Sequence, residues 1–150
     1  MPDKTYTDPP GMPEDERMTD AEFRVVREYL GLTGDWLGAH LGVSGRTVRH
    51  WENGKYAIPD GVRLEMEDLE RRTAEFVAAI VYKLMDVPDP GVLTYRADAD
   101  YHAAHPDVPF PASWHRAVVA RIAQDVPGLR IAYAAPDTDA AQAGDSVKTP

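Results

Sequence analysis

The sequence contains no cysteine, and this absence excludes several kinds of site. The chain of 150 residues can form no disulfide framework, cysteine-based zinc finger, iron–sulfur cluster or thiol nucleophile. It also lacks any apolar run near the roughly 18 residues that a membrane helix needs, and no basic stretch leading into an apolar one follows Met1. We therefore expect a soluble, cytoplasmic protein with no membrane partner.

Positive charge is scarce as well. The 16 Lys and Arg residues are outnumbered by 25 Asp and Glu, which gives a formal net charge of -9. This balance excludes a protein that coats nucleic acid through bulk charge, because phosphate binding depends on clustered cations. One short stretch, residues 44–56, escapes the acidic bias, since Arg46, Arg49 and Lys55 are opposed there only by Glu52.

Enzyme motifs are missing too. The sequence has no Walker loop, glycine-rich dinucleotide fingerprint or nucleophile elbow. A metal-dependent hydrolase site could in principle be assembled from His102, His105, His115, Asp98 and Asp100. Their spacing does not match a known ligand motif. We therefore predict that the protein is not an enzyme and holds no cofactor, metal or small-molecule ligand.

Both ends of the chain have the composition of disordered tails. Residues 1–18 combine four prolines with acidic residues and almost no aliphatic side chains. They offer too little apolar area to offset the entropy lost on ordering. Residues 135–150 are rich in Ala, Asp, Gly, Thr and Pro. We predict disorder in both segments.

Capping residues predict three short helices between residues 19 and 53. A capping box at Thr19 begins the first helix, and Thr33 and Ser44 cap the next two. Gly31 and Gly42 supply the ends of the first two. Inward-facing apolar residues recur at helical spacing along all three: Phe23, Val26, Leu30, Trp36, Leu37, Leu41, Val48 and Trp51.

The third helix would present basic and polar groups on its outer face. Arg46 near its start can fork onto guanine O6 and N7, and His50 lies one turn later on the same side. Ser44, Asn53 and Lys55 flank them where phosphates would run. Two short helices joined by a glycine-containing turn form a helix-turn-helix, whose second helix can enter the major groove.

The same tract resembles the lambda-repressor-like (Xre-type) helix-turn-helix family. The matching residues are Leu32-Thr33, Leu37, Leu41-Gly42-Val43-Ser44, Thr47-Val48 and Trp51-Glu52-Asn53-Gly54-Lys55. Both helices, the turn and the following loop match in register, so the resemblance is specific. It favours DNA contact over the alternative that Arg46 and Arg49 are ordinary solvated helix charges.

The resemblance implies roles for individual residues. We assign DNA base contacts to Arg46, Thr47 and His50, and phosphate contacts to Ser44, Arg49, Asn53 and Lys55. It also implies a structural ion pair between Arg27 and Glu52. At Gly34 and Gly45 the chain departs from the family, whose members often carry a polar side chain there, so we assign no contact to either glycine.

A narrower resemblance covers roughly residues 19 to 134. The chain is similar to a subfamily of two-part regulators that includes anti-CRISPR-associated autorepressors. The similarity rests on a long helix and on Ile58-Pro59-Asp60, Tyr95, His105-Pro106-Asp107 and Ser113-Trp114. It implies a repressor role, with autoregulation as one form of it, although related domains also serve as antitoxins and host regulators.

A long helix is predicted from Gly61 to Met85, with Asp60 as its cap. Apolar or small residues follow one another at heptad spacing: Val62, Met66, Leu69, Thr73, Phe76 and Ile80. This seam can pack within the chain, completing the helix-turn-helix domain and covering the C-terminal segment. Otherwise it meets a partner helix.

The C-terminal segment has strand composition at residues 92–96 and 129–134. Between them we predict a short helix near residues 98–104 and a longer one capped by Ser113. Two strands of this length cannot form an independently stable sheet. We therefore expect helices on one face and a second copy of the chain, with Phe110, Trp114 and Ile131 at the dimer interface.

The predicted architecture is mainly α. A tail (1–18) precedes a helix-turn-helix domain with its long helix (19–85), a small α+β dimerisation domain (86–134) and a second tail (135–150). The favoured function is a homodimeric, sequence-specific repressor on a palindromic operator in double-stranded DNA. The alternative is a protein-binding adaptor or antitoxin-like module that keeps the helix-turn-helix as a scaffold and shows no salt-dependent affinity for DNA.

Overall fold

The computed structural model describes residues 3–6 and 8–135, and the chain forms two compact units divided between Arg72 and Thr73. The helices are α1 (Asp20–Tyr29), α2 (Gly34–Leu41), α3 (Gly45–Glu52), α4 (Asp60–Leu84), α5 (Asp98–Ala104) and α6 (Ala112–Asp125); the strands are β1 (Gly91–Thr94) and β2 (Arg130–Tyr133). A short 3-10 helix, Glu14–Glu16, precedes α1. These elements confirm the mainly α fold with a small sheet after the long helix. None of the helices in the described ranges combines the length and apolarity of a membrane crossing.

Side-chain caps begin each of the first three helices. Thr19 Oγ1 accepts a 3.0 Å hydrogen bond from the Glu22 N–H, while Glu22 Oε1 accepts one from the Thr19 N–H at 3.0 Å. Thr33 and Ser44 cap α2 and α3 by accepting from the backbone N–H three residues on. The predicted helix starts are therefore confirmed.

Helices α1, α2 and α3 pack around a shared apolar core. Phe23 and Val48 are fully buried, and the Phe23 ring meets Trp51 edge to face at 5.9 Å. Gly38 makes the turn between α2 and α3 possible, because a Cβ there would lie 2.9 Å from the Val43 carbonyl oxygen. This glycine lowers helix propensity, but the close approach of the turn requires it.

Trp36 does not take the inward position that the sequence predicts for it. Its ring is half-buried and stacks on His40, with centroids 5.1 Å apart and planes 9° apart. His40 Nε2 lies 3.9 Å from a carboxylate oxygen of Glu65 in α4. Its neighbour Leu37 is fully buried, so Leu37 and not Trp36 is the core residue at this point of α2.

The seam of α4 is buried within the single chain. Val62, Met66 and Leu69 are fully buried in the first unit. In the second unit, Thr73 is buried and its Oγ1 accepts a 3.0 Å hydrogen bond from the Trp114 indole N–H. The first of the two predicted alternatives therefore holds, and these seam positions are not available to a partner helix.

The two strands of the second unit pair in parallel. The register runs from Gly91 opposite Arg130 to Thr94 opposite Tyr133. A parallel pair needs a long crossover connection, and α5 and α6 provide it. β1 begins one residue before the predicted segment 92–96, and β2 lies within the predicted segment 129–134. Helix α5 occupies the predicted range, 98–104.

Helix α6 begins one residue before the predicted cap. Pro111 is the N-cap residue and forms no side-chain capping bond. The N–H of Ala112 instead donates to Asp98 Oδ1 at 2.7 Å. A carboxylate from α5 thus replaces the hydroxyl cap that the sequence suggests at Ser113.

Phe110 and Trp114, predicted at a dimer interface, are core residues of the second unit. Their rings stack at 4.1 Å and 13°, and their exposed fractions are 6% and 1%. Phe76 meets Trp114 edge to face at 5.0 Å. This apolar surface is used within one chain, so a partner cannot reach it. Of the three predicted interface residues, Ile131 is exposed, at 48%.

Described residues of the segment before α1, which was predicted to be a disordered tail, make contacts within the first unit. Asp8 Oδ1 accepts a 2.5 Å hydrogen bond from the Asp60 N–H, and the Tyr6 hydroxyl donates to the Leu41 carbonyl at 2.5 Å. Such polar contacts escape an argument that counts only apolar area. The predicted second tail, residues 135–150, lies almost wholly outside the described residues.

The histidines weighed as metal ligands lie in and around the core of the second unit. His115 Nδ1 is 2.8 Å from Thr94 Oγ1, and His105 Nε2 is 3.1 Å from the Tyr95 hydroxyl. His102 Nε2 is 2.8 Å from a backbone carbonyl oxygen. Within residues 3–6 and 8–135, no three His, Asp or Glu side chains come together as a metal site.

We predict that stability falls below neutral pH because of His115. Burial, helped by the nearby charges of His105 and Arg116, lowers the pKa of His115 to about 4. An unfolded histidine titrates near 6.5, so between these values the unfolded chain binds more protons. The free energy of unfolding should therefore drop by about 3 kcal/mol from this residue as pH falls from about 6.5 to about 4.

Urea titrations over this pH range measure the effect. His115→Gln keeps a polar group towards Thr94 but cannot titrate, so its drop in unfolding free energy should be smaller by this amount. If the variant and the wild type lost equal stability, His115 would not be the source.

Candidate nucleic-acid interface

Two buried side chains set the orientation of α3. Val48 and Trp51, three residues apart, are 0% and 5% exposed. Their burial turns the opposite face of this short helix outward. Arg46 and Arg49 are exposed there, and His50 is half-buried beside them.

His50 lies among the positive charges of this face. Desolvation, followed by the charges of Lys55, Arg46 and Arg49, lowers the pKa of His50. Its ring meets Tyr56 edge to face at 5.1 Å. This shift favours the neutral imidazole, which has one donor and one acceptor nitrogen.

Ser44 and Thr47 form the start of α3. Ser44 Oγ accepts a 3.1 Å hydrogen bond from the Thr47 N–H. Ser44 is exposed and Thr47 half-buried. Both also bind Asp3, whose Oδ1 accepts from the Ser44 N–H at 2.9 Å and whose Oδ2 accepts from the Thr47 hydroxyl. Sequence reasoning missed this carboxylate, because nothing local links residue 3 to α3.

The run Trp51-Glu52-Asn53-Gly54-Lys55 ends α3 and positions the predicted phosphate contacts. Asn53 is the C-cap residue, and Gly54 has a φ of 74°, a conformation that glycine adopts at no steric cost. Asn53 and Lys55 are both exposed. The Lys55 ammonium lies 5.6 Å from the centre of the Tyr56 ring. The turn therefore carries a polar and a cationic group past the end of the helix.

Arg27 and Glu52 connect α1 to α3. Arg27 Nε lies 2.5 Å from Glu52 Oε1, and the two side chains are only 14% and 9% exposed. Arg27 also donates from Nη1 to the Leu32 carbonyl oxygen at 2.9 Å. One guanidinium thus ties α1, the following loop and α3 together.

A cleft of about 400 Å³ beside the start of α2 is lined by an arginine, Arg24, for which the sequence predicted no role. Arg24 lines this cleft and is exposed, with Nε 3.4 Å from a carboxylate oxygen of Glu28. Its position three residues before Arg27, on one face of α1, was an available signal. The full lining is Arg24, Arg27, Thr33, Gly34, Asp35, Arg49, Glu52 and Asn53.

The Asp35 carboxylate of α2 lies close to Gly45. A Cβ on Gly45 would collide with Asp35 Oδ1 and lie 3.4 Å from Arg49 Nη1. A Cβ on Gly34 would make only an ordinary 3.7 Å contact with Val48. A side chain at position 45 would therefore require the exposed Asp35 carboxylate to move aside, whereas position 34 has room for one without any shift.

Two comparisons with known proteins agree with this arrangement. The model of the Aca2/YdiL-like family matches residues 18–127. The Aca2 repressor of Pectobacterium phage ZF40 is 34% identical over 113 residues, which cover 75% of this chain and 91% of that protein. Both matches include residues of the helix-turn-helix and of the second unit. They confirm the resemblance to two-part regulators that include anti-CRISPR-associated autorepressors.

We predict that Glu52→Gln destabilises the first unit far more than an equivalent change on the surface. It leaves the mostly buried Arg27 charge without its counter-ion, which should cost about 2 to 3 kcal/mol of unfolding free energy. Glu28→Gln, which breaks the exposed pair with Arg24, is the matched control and should cost about 0.5 kcal/mol or less. Denaturant titration at neutral pH distinguishes them, and equal losses would contradict a stabilising role for the Arg27–Glu52 pair.

Proposed function

Because the chain belongs to the Aca2/YdiL-like family, we propose that it is a transcriptional repressor that binds a palindromic operator in double-stranded DNA as a homodimer. The observation that carries the proposal is the outer face of α3. Two arginines and a histidine are presented there together by a helix whose orientation is set by the burial of Val48 and Trp51.

Base recognition would come from the exposed side chains of α3. With this helix in the major groove, Arg46 can donate two hydrogen bonds to guanine O6 and N7. His50 follows one turn later, and its contact with Tyr56 limits the directions its ring can take. Thr47 can offer its hydroxyl or its methyl group to a neighbouring base.

Phosphate contacts would flank these base contacts. Ser44 and Arg49 lie towards the start and middle of α3, and Asn53 and Lys55 lie beyond its end. The whole chain carries a charge of -9, so non-specific attraction to DNA is weak. Affinity then depends on these few aimed contacts, which favours discrimination between sequences.

Dimerisation would double the number of base pairs that are read. One recognition helix contacts few base pairs, and two related by a two-fold axis read half-sites about 34 Å apart. We propose the second unit as the dimerisation unit, because every residue of β2 is exposed. Ile131 and Tyr133 are 48% and 44% exposed, so this strand carries apolar surface next to an unpaired edge.

Selection of bound sequences from a random duplex library tests the proposal as a whole. Enrichment of a palindrome, bound with a steep dependence on salt, is the expected result. Failure to enrich any sequence, with no salt-dependent affinity for DNA, would contradict DNA binding and favour an adaptor role.

We predict that two single substitutions in this interface weaken DNA binding in different ways. Arg46→Ala should cost about 1 to 3 kcal/mol on the selected operator and relax preference at one base position. Lys55→Ala should weaken all sequences alike and reduce the salt slope by about one unit. Both residues are exposed, so neither change should unfold the protein. Fluorescence anisotropy on operator and random duplexes measures both, and equal losses on the two duplexes for Arg46→Ala would refute base readout by this residue.

We also predict that Ile131→Asp weakens the dimer. A carboxylate in an apolar interface costs free energy on burial, so the dimer dissociation constant should rise about tenfold or more. Val25→Asp is the control, because Val25 is an exposed β-branched apolar residue of the first unit, 64% exposed against 48% for Ile131. Sedimentation equilibrium gives the constants, and a wild-type chain that stays monomeric on operator DNA would contradict the dimer.

A further inference from the structure

The carboxylate of Asp3 lies at the start of α3, on the face that we propose for DNA. It accepts a 2.9 Å hydrogen bond from the Ser44 N–H and another from the Thr47 hydroxyl. Ser44 is a proposed phosphate contact and Thr47 a proposed base contact. The Ser44 N–H carries a single proton, so it cannot bind Asp3 and a DNA oxygen fully at the same time.

The chemistry of this contact matches that of a phosphate at a helix start. The first N–H groups of a helix lack acceptors within the helix, and the aligned peptide dipoles make this end partially positive. An anion with two acceptor oxygens suits it, whether carboxylate or phosphate. Asp3 therefore supplies the charge and the acceptors that a DNA backbone would supply.

Three further contacts hold residues 3–6 in place. The Lys4 N–H donates to the Gly42 carbonyl at 2.8 Å, and the Tyr6 hydroxyl donates to the Leu41 carbonyl at 2.5 Å. The Tyr6 ring packs against Gly61, where a Cβ would lie 2.8 Å from the ring. Both acceptor carbonyls belong to the end of α2 and the turn before α3. Residues 3–6 are thus bound beside the proposed interface by their backbone and by a large side chain.

We propose that residues 3–6 are a self-inhibitory arm, in which Asp3 occupies the place of a DNA phosphate and must leave when DNA binds. This inference rests on the proposed function, because the arm matters only if α3 binds DNA. The measured affinity for an operator is then the intrinsic affinity reduced by the fraction of molecules whose arm is closed. Contacts that hold the arm lower affinity, although they lie away from the base-reading side chains.

Two substitutions in the full-length chain should release the arm. Asp3→Ala removes the carboxylate and should tighten operator binding roughly 3- to 10-fold, the effect of losing charge-assisted bonds at an exposed helix start. Tyr6→Phe keeps the ring and the net charge but removes the hydroxyl that donates to Leu41. It should tighten binding by a smaller factor, roughly 2- to 3-fold.

Asp15→Ala is the matched control for charge. Asp15 is exposed in the 3-10 helix before α1, so its loss changes the net charge as Asp3→Ala does. General electrostatic attraction should raise affinity less than about 2-fold at about 0.15 M salt. Inhibition by the arm is measured by how much more the operator affinity rises in Asp3→Ala than in this control. The rise in affinity in Tyr6→Phe, which leaves the net charge unchanged, measures it independently.

Amide hydrogen exchange without DNA tests the contact itself. The Ser44 amide should exchange faster in Asp3→Ala than in the wild type, and its exchange rate should be unchanged in Asp15→Ala. If this difference is absent, the closed arm is refuted whatever the affinities are. Thermal unfolding of each variant shows that the comparison is between folded proteins.

The DNA-binding measurements distinguish failure of the inference from failure of the proposed function. A wild type that binds the operator, with equal gains for Asp3→Ala and Asp15→Ala and none for Tyr6→Phe, would overturn the inference and leave DNA binding intact. Weaker binding by Asp3→Ala would overturn it too, because the arm would then assist binding. If the wild type binds no duplex and Asp3→Ala does, inhibition is complete and the inference is supported. If neither binds, the proposed function fails and the inhibition fails with it.

Discussion

The edge-to-face packing of Trp51 on Phe23 is the interaction on which the first unit depends. It fixes the rotation of α3, because Trp51 and Val48 are the buried residues of that helix. Its neighbour Glu52 is thereby brought to Arg27 of α1. The same rotation leaves Arg46 and the other polar side chains outside. The stability of this unit and the DNA recognition that we propose therefore depend on the same helix, and a change that rotated α3 would affect both.

Much of this unit could be predicted from local sequence, because the interactions that define it are local. The capping residues Thr19, Thr33 and Ser44 act within three residues of themselves. Contacts between residues far apart in sequence were harder to predict. The bonds of Asp3 to α3 join segments about forty residues apart, and composition alone argued for disorder there. An apolar residue such as Trp114 can face its own core or a partner's, and periodicity does not distinguish the two. Trp36 and Leu37 show the same ambiguity on a short helix.

The second unit buries polar side chains as well as aromatic ones, and several of these polar side chains are hydrogen-bonded to each other or to an aromatic N–H. Thr73 bonds the Trp114 indole, and His115 bonds Thr94. Burial of a polar group without a partner is costly, so these pairs restrict how α4, α6 and β1 can pack. Tyr95, Tyr101, Phe110 and Trp114 are buried in this core. The large apolar side chains that stay exposed in this unit are Ile131 and Tyr133 on β2, Tyr82 on α4 and Met85 just after α4, whereas Phe110 and Trp114 of the predicted interface are buried.

The parallel pairing of β1 and β2 has a consequence for the order of folding during synthesis. The first three helices make contacts between segments close in sequence, and such contacts form quickly. β1 must wait for β2, which follows α5 and α6 and emerges from the ribosome after them. The nascent chain can therefore complete its helix-turn-helix while its sheet is still unmade. The proposed self-association through β2 would then be postponed until α5, α6 and β2 have emerged and the sheet has formed.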